Sequence, residues 1–119
     1  MEDLSPEKSP QTAEILVAYG NLLLSLGRTE DGIEKARRAI EADPKSRDAH
    51  YELARGLDHK EDFKNAALEA EQALTLPELG TSDAQIHFLL ANLYRKLNEP
   101  DLAKVHLDKF QAARKSTEK

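Results

Sequence analysis

The chain has no cysteine and no tryptophan, and its aromatic content is limited to three tyrosines and three phenylalanines. Without cysteine there is no disulfide framework, no thiolate zinc site and no cysteine nucleophile. The absence is compatible with any compartment. No apolar run approaches the ~18–20 residues that a membrane helix requires, so no membrane partner is expected. There is no surplus of positive charge either. Seventeen basic residues stand against 22 acidic ones, a net charge of −5, and basic clusters are no longer than Arg37-Arg38. Neutralising phosphates takes a basic face, so nucleic acid is excluded as the expected partner. The first residues, Met1-Glu2-Asp3-Leu4-Ser5-Pro6, lack the charged-then-apolar order of a signal peptide. The expectation is a cytoplasmic protein or a piece of a longer one.

What is present is a helical alphabet. The 119 residues are 39% hydrophobic and 33% charged, with a mean hydropathy of −0.64, which fits one domain with a modest core and a solvated surface. Residues 1–10 are polar, carry Pro6 and Pro10, and read as a flexible acidic leader. Its Ser5-Pro6 and Ser9-Pro10 pairs resemble proline-directed phosphorylation sites and read as incidental there. From Gln11 onward Ala, Leu, Glu, Lys, Gln and Arg dominate. Breaks at Gly27-Arg28, Asp43-Pro44-Lys45, Pro77 to Ser82 and Asn98-Glu99-Pro100 leave helices over 11–26, 29–42, 46–60, 62–76, 82–97 and 100–116. Ser82 with Gln85 forms a capping box, and Thr29 and Ser46 are further candidate N-caps. Short connections force neighbouring helices to run antiparallel.

The six helices repeat as pairs. Small residues recur at Gly20, Ala54 and Ala91, and twelve positions after each stands another, Gly32, Ala66 and Ala103. Ala39, Ala73 and Phe110 follow seven positions later. The third unit is displaced by three extra residues in the Pro77–Ser82 loop. Gly or Ala at such points lets two crossing backbones approach to the short end of the usual ~8–10 Å. Around them sit Leu16, Tyr19 and Leu23, then His50, Leu53 and Leu57, then His87, Leu90 and Tyr94, each trio at i, i+3, i+7 on one face. A single hairpin cannot bury such a face, so stacking of hairpins is the expected solution.

These residues resemble the tetratricopeptide repeat (TPR) family, whose 34-residue motif runs W-x2-L-G-x2-Y, A-x3-F, P. The first repeat matches with Leu16, Tyr19, Gly20, Leu23, Gly32, Ala36 and Pro44. The second matches with His50, Leu53, Ala54, Leu57, Ala66, Ala70 and Pro77, and the third with His87, Leu90, Ala91, Tyr94, Ala103 and Leu107. The tryptophan is absent, and the usual second-helix aromatic is replaced by Ala36, Ala70 and Leu107. The resemblance implies an all-α superhelix of three antiparallel helix-turn-helix repeats, over 13–46, 47–80 and 84–117. It also implies a concave groove lined by the first helix of each repeat.

No catalytic pattern competes with that reading. His50 and His87 occupy equivalent slots and read as packing residues, and His59 and His106 have no partner at a spacing diagnostic of a metal site. There is no Ser–His–Asp order, Gly-rich phosphate loop or H-E-x-x-H signature. The chain is therefore expected to be non-catalytic, with no cofactor and no metal. Helical arithmetic turns Glu14, Val17, Asn21 and Leu24 of the first repeat toward the groove, with Asp48, Tyr51, Arg55, Asp58 and His59 of the second. The third adds Gln85, Phe88, Asn92, Arg95 and Lys96. Val17, Tyr51 and Phe88 make an apolar row beside a polar row of Asn21, Arg55 and Asn92. The pairing suits an extended peptide, and Arg55, Arg95 and Lys96 favour an acidic ligand end. A TPR subclass that grips chaperone C-terminal carboxylates uses Lys-x3-Asn, Asn and Lys-x3-Arg. The matching places hold Val17 with Asn21, Glu52, and Gln85 with Leu89, so that role is rejected.

Ile15, Leu22 and Leu26 form a second surface, on the edge where a preceding repeat would stack. Such a stripe should not stay wet, and cover is expected from the leader, from a second copy or from further repeats. The leading expectation is a protein-interaction module binding a peptide segment of a partner. The alternatives are a dimerisation or assembly element using that edge, and a regulatory segment of a catalytic chain.

Overall fold

Six helices follow one another in a computed structural model that describes residues 9–117. They are α1 (Pro10–Ser25), α2 (Thr29–Ala42), α3 (Arg47–His59), α4 (Phe63–Leu74), α5 (Asp83–Lys96) and α6 (Pro100–Thr117). Pro10, which polarity alone assigns to the leader, is the first residue of α1, and the Ser9 side chain accepts the Thr12 amide as N-cap. The rest of the expected leader lies outside the described residues. Ser46 caps α3 by accepting from the Ala49 amide, and Ser82 with Gln85 closes a complete capping box on α5. Thr29 is not a cap: it lies inside α2, whose N-cap is Arg28 without a side-chain bond.

The hairpins α1–α2, α3–α4 and α5–α6 turn in the same way. Two residues past the end of each first helix stands a residue of positive φ, Gly27 at 79°, Glu61 at 67° and Asn98 at 62°. The amide after it donates back across the turn: Arg28 to Leu23 O, Asp62 to Leu57 O and Glu99 to Tyr94 O, all at 2.8 Å. This is the Schellman stop, which satisfies carbonyls that the helix end leaves open.

Small residues bring the hairpin helices together as their spacing predicts. A Cβ on Gly20 would lie 3.2 Å from the Gly32 carbonyl oxygen, and one on Gly32 would lie 2.9 Å from the Leu24 side chain. Leu24 is thus buried in the core and does not face the groove. Along the array α2 packs on α3 and α4 on α5, while α1 touches α3 and α3 touches α5. No comparable contact links α2 with α4 or α4 with α6. The first helices therefore form the tight inner layer of a curved, all-α superhelix. The main core joins Ile33, Leu53, Leu57, Ile86, Leu90 and Leu93 with the alanine faces of α2 and α4.

Candidate functional site

The concave face of α1, α3 and α5 carries two adjoining clefts. The first, of about 650 Å³, is lined by Glu14, Val17, Asn21, Asp48, Tyr51, Glu52 and Arg55, among others. The second, of about 390 Å³, is lined by Tyr51, Arg55, Asp58, Phe88, Asn92, Arg95 and Lys96, among others. Tyr51 and Arg55 belong to both, so the clefts make one channel crossing all three repeats. Every residue of the sequence-predicted set (Val17, Asn21, Tyr51, Arg55, Phe88, Asn92 and Arg95) lines it. Val17 and Tyr51 are half-buried and Phe88 is half exposed. The Phe88 ring rests on Phe110 of α6 at a centroid distance of 5.0 Å, so the second helix of the third repeat fixes the last member of the apolar row.

The polar row is already wired internally. Asn21 Nδ2 donates to Glu52 Oε2 at 3.1 Å, and Arg55 Nη1 reaches both Glu52 oxygens at 3.2 and 3.3 Å. Glu52 is buried. Burial raises its pKa, opposed by the Arg55 charge and by the Asn21 and Arg55 hydrogen bonds. Asn21, the one position shared with the chaperone carboxylate clamp, is thus engaged by the residue that would repel a carboxylate. The groove's basic end is narrower than the sequence suggests. Arg55 is paired with Glu52, and Lys96 Nζ lies 2.9 Å from Asp58 Oδ1. Arg95 is the exception, bonding Asn92 Oδ1 at 2.9 Å with no carboxylate beside it among the described residues.

Asp48, which helical arithmetic already turned toward the groove, lines the channel, and Arg47, which sequence reasoning missed, fixes the loop beside it. Arg47 is buried, donating to the carbonyls of Leu76 at 2.9 Å and Thr81 at 3.1 Å and pairing with Asp83 at 2.7 Å. Asp48 accepts from the Thr81 amide at 2.8 Å and from the Thr81 hydroxyl. Together they pin the loop containing the three extra residues against α3. Gly80 fits there because its φ is +84° and a Cβ would meet Asp48 Oδ2 at 2.4 Å. For Arg47 the sequence signal was limited to the additional loop length.

Three histidines, His50, His87 and His106, are packed against hydrogen-bonding partners, while His59 is exposed. His50 Nδ1 lies 2.8 Å from Glu69 Oε1 and Nε2 lies 3.0 Å from Pro44 O. Both partners are acceptors, so making both bonds takes the protonated ring. The Glu69 hydrogen bond accordingly raises its pKa against the effect of burial. In the third repeat the partner is His106, not a carboxylate. Its sequence spacing points to no metal-site partner, and in the fold its Nδ1 lies 2.9 Å from His87 Nδ1. The tautomers that satisfy the group send His87 Nδ1–H to His106 Nδ1 and His106 Nε2–H to Glu71 (3.4 Å), which also accepts the Tyr94 hydroxyl at 2.7 Å. Burial lowers the pKa of both rings, with His106 opposing His87's charge and Glu71 partly countering the shift at His106. No group of three or more metal-ligating side chains exists among the described residues, nor does any helix there have the length and apolarity to cross a membrane.

Comparison with known sequences and structures agrees with the repeat geometry. Tetratricopeptide repeat profiles match residues 17–84 and 84–117. None of the curated proteins compared with the chain matches it. Among solved structures, YrrB, a TPR protein described as having an unusual peptide-binding site, superposes with a TM-score of 0.72 at 26% identity. The match covers 80% of this chain and 47% of YrrB, so the chain spans about half the length of that protein. The chain belongs to the tetratricopeptide repeat family.

Proposed function

We propose that this TPR domain is a protein-interaction module that binds an extended peptide segment of a partner protein in its concave channel. The observation carrying the proposal is continuity. Two clefts joined at Tyr51 and Arg55 run past an apolar row, Val17, Tyr51 and Phe88, and a parallel row of amide and guanidinium groups. An extended chain alternates its side chains, so one set enters the apolar strip while Asn92 and Arg95 meet backbone or carboxylate groups. The peptide-binding site for which YrrB is described lies on the same fold and supports the reading.

Charge sets a polarity. Glu14, Asp48 and Glu52 line the first-repeat end, and Arg95 stands at the third-repeat end. The preferred segment carries an acidic residue toward α5 and a neutral or basic one toward α1. Selecting a random phage-displayed peptide library on the immobilised chain tests this. The expected result is an enriched motif with bulky apolar residues and an acidic end. Calorimetry on the enriched peptide should show Tyr51→Ala and Phe88→Ala each weakening binding about tenfold, or ~1.4 kcal/mol, with the circular dichroism unchanged. A library without enrichment, or peptides indifferent to both substitutions, overturns the proposal.

A further inference from the structure

The edge of α1 opposite the groove exposes a run of large apolar side chains. Ile15, Tyr19, Leu22 and Leu26 are 68%, 49%, 54% and 64% exposed there. Their counterparts in the third repeat, 71 positions on, are Ile86, Leu90, Leu93 and Leu97. The first three are fully buried beneath α4 and Leu97 packs at the same core. The stripe is thus built as an interface, and its spacing of 4, 3 and 4 residues is that of an apolar seam between paired helices.

We infer that a second copy of this chain covers the stripe, the two α1 helices packing antiparallel about a two-fold axis. Ile15 then faces the partner's Leu26, and Tyr19 faces the partner's Leu22. Charge permits the pairing despite the net charge of −5 on each copy. The seam is flanked by Gln11, Ala18 and Ser25, and the sole formal charge in α1, Glu14, lines the groove instead. Lys35, whose ammonium lies 5.0 Å from the Tyr19 ring, is already paired with Glu34 at 3.2 Å.

A head-to-tail arrangement fits less well. The α4 surface over α5 is Ala67, Ala70 and Leu74, whereas the equivalent places on α6 are Lys104, Leu107 and Gln111. Lys104 is held by Asp108 at 3.0 Å, and stacking would strip water from that pair against Ile and Leu. The exposed stripe amounts to roughly 500 Å² per copy, below the ~800 Å² per partner of a standard interface. The dimer therefore forms and dissociates with concentration. Val17 and Asn21 lie on the far side of α1 and stay open, so the groove and this edge act independently.

Sedimentation equilibrium of the full chain from about 1 µM to about 1 mM tests the inference. The mass is expected to climb from 13.3 kDa toward twice that value, and Leu22→Glu should hold it at 13.3 kDa with unchanged circular dichroism. Because the chain has no cysteine, single replacements report the geometry. Leu22→Cys near the axis should trap a covalent dimer on oxidation, and Leu26→Cys, distant from its own copy, should not. Three results overturn the inference: a wild-type monomer throughout, growth beyond two copies, or growth that survives Leu22→Glu. A monomer that dimerises only after residues 1–8 are removed also overturns it, assigning the edge to the chain's own leader.

Discussion

The first and third repeats present nearly the same outer face on their leading helices, and the two faces have opposite surroundings. Ile86, Leu90 and Leu93 are sealed under α4, while Ile15, Tyr19 and Leu22 meet solvent in the single chain. Side-chain identity here follows position within the repeat, whereas burial follows from whether a neighbour is stacked on it. The periodicity of the sequence can therefore reveal a face, but it says nothing of its cover.

The largest expected effect exploits that difference. Ile86→Ala or Leu90→Ala removes a side chain without solvent contact and should cost about 3–4 kcal/mol in urea unfolding. Ile15→Ala, measured under monomeric conditions, should cost about 0.5 kcal/mol or less. Equal costs at Ile15 and Ile86 would mean that the first edge is covered within the chain.

A smaller effect depends on pH. The two slots equivalent to His87 and His106 hold Leu16 and Lys35 in the first repeat, so no imidazole stands there. In the third repeat both imidazoles have lowered pKa values, so the unfolded chain binds more protons. Their contribution is complete above the unfolded value near 6.5 and is lost as pH falls from there through the folded values. His50 runs the other way. Its raised pKa gives stability that is complete below about 6.5 and lost as pH rises through the folded value. Hydrogen exchange at pH 7.5 and 5.5 should show α5–α6 loosening in acid while α3–α4 tightens. His106→Gln should reduce the acid sensitivity of α6, and an unchanged response would contradict the pairing.

The smallest effect lies in the turns. Gly27→Ala places a Cβ at φ 79° and should cost about 1 kcal/mol, whereas Asn98→Gly should gain a few tenths. Glu61→Gly should stabilise the second hairpin by ~0.5–1 kcal/mol. Chemical denaturation of the three variants checks the order, and a loss at Glu61→Gly would sink the strain argument.

The repeats, the six helices and the Ser46 and Ser82 caps are legible in the sequence because each rests on local spacing. Glu61 shows where that limit falls. It adopts the same left-handed turn as Gly27 with no glycine or asparagine to announce it, because the stacked hairpin imposes the turn. Tyr19 reads as a packing residue through its repeat position, yet among the described residues no further repeat is stacked over it and it stays half exposed. Leu24 shares the groove's helical angle, but the Gly32 and Gly56 gaps draw it inward. The groove rows were visible as columns of side chains. Their wiring was not, because the Asn21–Glu52, Arg47–Thr81 and His87–His106 contacts join residues 31, 34 and 19 positions apart, and no local pattern encodes them.

The most direct test of the central claim is a chemical-shift map of the ¹⁵N-labelled chain titrated with a library-selected peptide. The groove account predicts shifts concentrated at Val17, Tyr51, Arg55, Phe88, Asn92 and Arg95, with Ile15 and Leu22 undisturbed. Shifts centred on the α1 edge, or on the outer helices α2 and α4, would contradict it.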